Sequence, residues 1–338
     1  MTDSVRQIVP LGVQWPTIDP FLFCVHHDDA YPPGNASLGP AVNLDGRDIG
    51  QDFSRHDGWS MYHGDVVPGF PQHPHRGFET VTIVRRGLID HSDSLGAAAR
   101  FGHGDVQWLT AGNGIVHSEM FPLLDDAAPN PLELFQIWLN LPAADKHVDP
   151  SFTMLWEHDI PRVTATDPEG RTSEVVVVAG DLRDDRALPA PPDSWASRAE
   201  ADVAIWTVRL DAGARIELPP ASGSDTVRTL YFFEGPSLHI GERRIDHSSG
   251  VLLDAQQAVT LTAGSGDVEC LVLQGRPIAE PVAQYGPFVM NTEAEIHEAF
   301  ADYRRTQFGG WPWPDDGPTH GRDMRRFARL PDGSVVTA

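Results

Sequence analysis

Turn signals interrupt residues 69–120 so often that only short strands fit the text GFPQHPHRGFETVTIVRRGLIDHSDSLGAAARFGHGDVQWLTAGNGIVHSEM. Arg86-Gly87, Ser94-Leu95-Gly96, Gly102-His103-Gly104-Asp105 and Gly112-Asn113-Gly114 each break the chain, so the segments between them fold back on one another. Side chains alternate faces along an extended strand. His73 and His75 therefore project to one side with Pro74 turned away, and His117 and Glu119 repeat that spacing 42 residues after His75. Two same-face pairs on strands returned by such turns can converge on one point. Three imidazoles and one carboxylate suit a borderline divalent transition metal and leave coordination positions open. Glu79 has the parity of His75 on a continuing strand and competes with Glu119 for the carboxylate position, and a bulge decides between them.

The strand signature continues beyond this stretch. Runs at 79–84 (ETVTIV), 105–109 (DVQWL) and 133–141 (ELFQIWLNL) are β-branched, alternating or apolar. Pro142 closes the first half, and 143–162 turns polar, as a linker or crossing segment does. Further strands are expected at 173–179, 203–210, 226–233, 250–253 and 268–273. Two strand-rich halves of similar length predict an all-β chain of two antiparallel barrel or sandwich domains related by duplication. The expected division is a metal-binding domain over 1–145, a metal-free domain over 146–290, and a helix with a tail over 291–338. The match of 109–114 (LTAGNG) with 261–266 (LTAGSG) is short enough to arise by chance.

Three further segments complete the chain. Residues 19–23 (DPFLF) read as an edge strand or an anchor, and 28–64, rich in Gly, Pro, Asp and Asn, as a loop lying over the fold with Trp59 and Tyr62 as anchors. His56 and His63 in that loop lack a same-face partner and are not counted as ligands. Near the end, Thr292 is an N-cap, Glu293 and Glu295 favour the positive end of a helix dipole, and Ile296, Phe300 and Tyr303 share one face. Gly309-Gly310 is the expected stop, and the tail after it wraps the surface or frays.

Composition excludes some functions. With Lys and Arg at 25 against Asp and Glu at 48, the net charge of −23 argues against sequence-independent adhesion to nucleic acid or anionic membrane. Cys24 and Cys270 stand in no metal-thiolate spacing and are expected as isolated buried thiols. No basic n-region, apolar leader or 18-residue apolar run occurs, so the expected location is cytoplasmic.

The runs His73-Pro-His-Arg-Gly-Phe-Glu-Thr-Val-Thr82, Gly104-Asp-Val-Gln-Trp108, Thr110-Ala-Gly112, His117-Ser-Glu119-Met120 and Tyr285-Gly-Pro-Phe-Val-Met-Asn-Thr292 together resemble the pirin family of the cupin superfamily. The resemblance covers roughly 19–309, and its late segment carries no expected part in metal binding. It implies a bicupin with one Fe(II) per chain, or another divalent first-row metal, in the N-terminal domain. Carried over, the family's ligands fall on His73, His75, His117 and Glu119, leaving Glu79 as a supporting group. Two function classes follow from it. In one, a mononuclear iron dioxygenase opens quercetin-like flavonols with O₂, and Glu119 loosens from the metal to act as general base. In the other, the iron only fixes the shape of a surface for a protein partner.

Overall fold

The computed structural model describes residues 4–338, and strands dominate it. One α-helix occurs among the described residues, Glu293–Thr306, and no helix is long and apolar enough to cross a membrane. Eight strands build a first barrel: β1 (Phe21–Tyr31), β2 (Gly69–His75), β3 (Phe78–Arg86), β4 (Leu88–Asp93), β5 (Ala98–Gly102), β6 (Val106–Thr110), β7 (Ile115–Met120) and β8 (Asn130–Asn140). Eight more build a second: β9 (Ala204–Leu210), β10 (Arg215–Leu218), β11 (Val227–Glu234), β12 (Leu238–Ile240), β13 (Arg243–Ile245), β14 (Ser249–Leu253), β15 (Val259–Ala263) and β16 (Val268–Gly275).

In the first barrel one sheet has the order β6-β3-β8-β1 and the other β5-β4-β7-β2, and in the second the orders are β14-β11-β16-β9 and β13-β12-β15-β10. Each strand therefore has its counterpart eight places on. The duplication expected from two similar halves is present as topology. The LTAGNG and LTAGSG texts are not its trace, since the first lies on the β6–β7 turn and the second on the β15–β16 turn, one strand out of step.

The chain groups into two compact units made of discontinuous pieces. One comprises the described residues up to Val25, Ile137–Pro142 and His158–Ala279, and the other His26–Gln136, Ala143–Glu157 and Glu280–Ala338. The strand Val5–Pro10 is thus an outer strand of the second barrel, paired with β14. Conversely, the strand Phe327–Arg329 extends the first barrel, paired with β5.

Local chemistry explains where elements stop. The segment read as an edge strand continues to Tyr31 within β1, because Asp29, expected in a polar loop, is buried with its carboxylate accepting from Ser60 N (3.0 Å) and the Tyr62 hydroxyl (2.8 Å). The loop after it is pinned by Arg47, whose guanidinium lies 3.4 Å from the Trp59 ring centroid and 2.8 Å from Asp52. The helix begins as expected, with a capping box between Thr292 and Glu295. It ends earlier than the glycines predict, because Gln307 already adopts φ 49°, ψ 28° and its N–H donates to Tyr303 O. Cys24 and Cys270 are free and buried.

Candidate metal centre

The register of the β5-β4-β7-β2 sheet decides which side chains meet. His73 lies opposite His117, His75 opposite Ile115, and Phe70 opposite Glu119. On the other side of β7, Asp93 lies opposite His117 and His91 opposite Glu119. Directly opposed residues point to one face, so His73, His75, His91, Asp93, His117 and Glu119 all face one way. Ring centroids of His73 and His75 are 4.8 Å apart, those of His73 and His117 4.4 Å, and those of His75 and His117 4.9 Å. One ring nitrogen from each of these three lies within 4.8 Å of the others.

Burial keeps the three imidazoles neutral, which is the form that binds metal. It pushes His73 down to about 4, against a smaller opposing effect of the Pro71 carbonyl. Burial, reinforced by the neighbouring imidazoles, pushes His75 and His117 well below the ordinary range. The tautomers of two rings are fixed by carbonyls, which can only accept. His73 Nδ1 donates to Pro71 O at 2.8 Å and His75 Nδ1 to Pro287 O at 3.4 Å, which turns each Nε2 lone pair away from the backbone. The late segment, expected to have no part in metal binding, is therefore joined to the histidine strand. Val289 N donates to Arg76 O, and Lys146 Nζ donates to Gly77 O (2.8 Å) and Val289 O (3.2 Å). At Gly77, φ is +84° and a Cβ would stand 2.0 Å from Val289 O, so only glycine fits the turn between β2 and β3.

His117 is fully buried, and neither of its ring nitrogens has a hydrogen-bond partner. Leaving such groups unsatisfied costs about 1–3 kcal/mol. A metal ion shared with His73 and His75 would satisfy one of them, so the donor set fits a metal.

Glu119 shares the face but its oxygens are turned elsewhere. Gln136 Nε2 donates to Oε2 at 2.8 Å, and the Thr82 hydroxyl lies 3.1 Å from Oε1 and 2.9 Å from Gln136 Oε1. Thr82 has one proton for these two acceptors. All three contacts carry a hydrogen bond only when Glu119 is itself protonated on Oε1 and donates to Thr82. Burial, opposed by hydrogen bonds from Thr82 and Gln136, pushes its carboxyl above the ordinary range. Glu79 lies on the opposite face of β3 from Thr82 and accepts from the Thr110 hydroxyl at 2.7 Å. Its parity with His75 is lost because Arg76-Gly77 breaks the strand.

Sequence reasoning missed His91. It is fully buried, with Nε2 3.2 Å from Asp93 Oδ2, Nδ1 without a partner, and its ring 5.6 Å from His117. The HSD text of 91–93 repeats the two-residue spacing and was the available signal.

The family model described as Pirin matches residues 4–139, and the one described as Pirin C-terminal cupin domain matches 205–309. The chain belongs to the pirin family. A candidate quercetin 2,3-dioxygenase of Pseudomonas aeruginosa is 38% identical over 242 residues, 71% of this chain and 79% of that relative. Pirin-1 of Arabidopsis thaliana is 37% identical over 259 residues, covering 71% and 78%. A crystal structure of quercetin 2,3-dioxygenase from Acinetobacter baumannii superposes with a TM-score of 0.67 at 26% identity, covering 91% of this chain and 96% of that one. The two barrels are thus the two cupin domains of a pirin, and the three-histidine group, which could hold a metal ion, belongs to the first.

Proposed function

We propose that this pirin is a mononuclear iron dioxygenase that opens quercetin-like flavonols with O₂, its metal held by His73, His75 and His117, with Glu119 joining as fourth ligand when its carboxylate turns from Thr82 and Gln136. The observation that carries the reading is the cluster of three neutral imidazoles, His73 half-buried and His75 and His117 buried, with His117 unpartnered on both nitrogens. Imidazole and carboxylate donors with positions left open are the donor chemistry of non-haem iron oxygenases, and relatives at 37–38% identity are named as candidate quercetin 2,3-dioxygenases. When bound, Fe(II) would supply the redox chemistry and open coordination positions.

The protein's part is to hold the rings and to manage one proton. The Pro71 and Pro287 carbonyls fix the His73 and His75 tautomers. Glu119 Oε1 is the atom that takes the flavonol hydroxyl proton, and the Thr82 and Gln136 side chains then close a ring of three hydrogen bonds around the neutral acid. The surrounding strands exclude water from that exchange.

The test is direct. Iron-loaded protein mixed with quercetin without oxygen and then exposed to air should consume O₂ and bleach the flavonol. Bound iron without O₂ uptake would sink the enzymatic reading in favour of an iron-shaped surface for a protein partner.

A further inference from the structure

We infer that Gln107, assisted by Thr80, is a substrate-binding position inside the first barrel that takes a neutral hydroxyl of the bound molecule. The inference rests on the small-molecule reading above and adds a contact on the wall opposite the histidines. Gln107 lies opposite Thr82 in the β3–β6 register, and Thr82 points to Glu119. Opposed residues share a face and stand about 5 Å apart, so the Gln107 amide faces the same interior as the Glu119 carboxylate. Leu109 and Thr80 form the neighbouring opposed pair on that face, and Leu109 belongs to the barrel's apolar core. Gln107 is 1% exposed, yet neither Oε1 nor Nε2 has a partner, and the Thr80 hydroxyl, also 1% exposed, has none either.

A buried amide with both ends unsatisfied destabilises a fold unless something else completes it. The chemistry of the missing partner follows from what is offered. An acceptor and a donor side by side are both filled by one hydroxyl, which accepts from Nε2 and donates to Oε1. A carboxylate would meet Oε1 with like charge, and an ammonium would leave Nε2 unfilled. The site therefore selects a hydroxyl other than the one held at the metal end. It is uncharged, so it discriminates by geometry and not by field.

The experiment compares two flavonols, quercetin and 3-hydroxyflavone, which has the metal-binding end but no further hydroxyls. Each is titrated without oxygen into iron-loaded wild type and Gln107→Met, an apolar change of similar volume. Wild type should prefer quercetin by about tenfold or more, the scale of one buried hydrogen bond with its desolvation. Gln107→Met should bring the ratio within about twofold and leave 3-hydroxyflavone affinity unchanged. Because the amide has no protein partner, the variant's Tm should stay level or rise by roughly 2–4 °C. A preference that persists in Gln107→Met, equal affinities in wild type, or a Tm lowered by several degrees would each overturn the assignment, the last by making Gln107 a structural group satisfied by buried water. If wild type binds neither flavonol, this assignment and the flavonol reading fall together. If it binds both equally, only this one does.

Discussion

The two barrels enclose opposite chemistries with one strand order. On β10 and β15 of the second barrel, Ile216 lies opposite Leu261 and Leu218 opposite Val259, and all four are part of a continuous apolar core with Leu238 and Ile240. On the counterpart strands β2 and β7 of the first, His73 lies opposite His117 and Phe70 opposite Glu119. The topology fixes which strands converge. The side chains alone decide whether the convergence is an apolar core or a polar cluster. An apolar interior satisfies itself through packing, whereas the polar one leaves His117, His91, Gln107 and Thr80 with atoms that have no hydrogen-bond partner among the described residues.

The carboxylate that the apolar barrel lacks gives the largest test. In Glu119→Gln the amide can still donate to Thr82 and accept from Gln136, so the fold should hold while the proton acceptor is gone. Iron affinity should weaken, and turnover of quercetin by iron-saturated variant should fall about 10²- to 10⁴-fold. Unchanged iron content with unchanged turnover would remove Glu119 from both roles.

Matched substitutions in the two interiors should give opposite signs. Leu261→Ala opens a cavity in a packed core and should cost about 2–5 kcal/mol of stability with no change in iron content by elemental analysis. His117→Leu should lose iron almost entirely, while its metal-free Tm, by calorimetry, stays level or rises because two orphaned nitrogens are removed. A large loss of metal-free stability in His117→Leu would erase the contrast.

The smallest expected effect is a pH dependence carried by the first barrel. In metal-free protein an unfolded imidazole takes a proton near 6.5, but half-buried His73 does so only at about 4. Between those values the unfolded chain binds the extra proton, so stability should be level above pH 6.5 and fall as pH drops from 6.5 towards 4. His75 and His117, also held down by burial, add to the loss in the same direction. A Tm that stays flat from pH 7 to 4 would mean the histidines are not buried as described.

The histidine pairs were legible in the sequence because alternation along a strand is a local rule, and HxH or HxE needs nothing else. Glu79 was ambiguous for the same reason, since parity holds only within a strand and Arg76-Gly77 ends one. His91 escaped because its place beside Glu119 is set by the β4–β7 register, a relation between segments about 28 residues apart. The role of 285–290 was hidden still more deeply, since only folding brings the Pro287 carbonyl to a histidine 212 positions earlier. The tail, expected to wrap the surface or fray, is a strap with specific seats. Trp313 Nε1 donates to Asp93 O and His320 N to Asp90 Oδ2.

The exchange of outer strands also sets an order of events during synthesis. A ribosome making this chain delivers the histidine strands long before 313–329, the segment that covers the buried Asp90–Arg100 pair and accepts from Arg100 through Gly321 O. Until then that guanidinium and carboxylate face solvent and β5 has an unpaired edge, a form open to mispairing with another nascent chain. Val5–Pro10, by contrast, emerges first and must wait for β14, some 240 residues later, to find its place. The first barrel can assemble its histidines early, but it is sealed only when 327–329 arrives, after the second barrel has all its strands at Gly275.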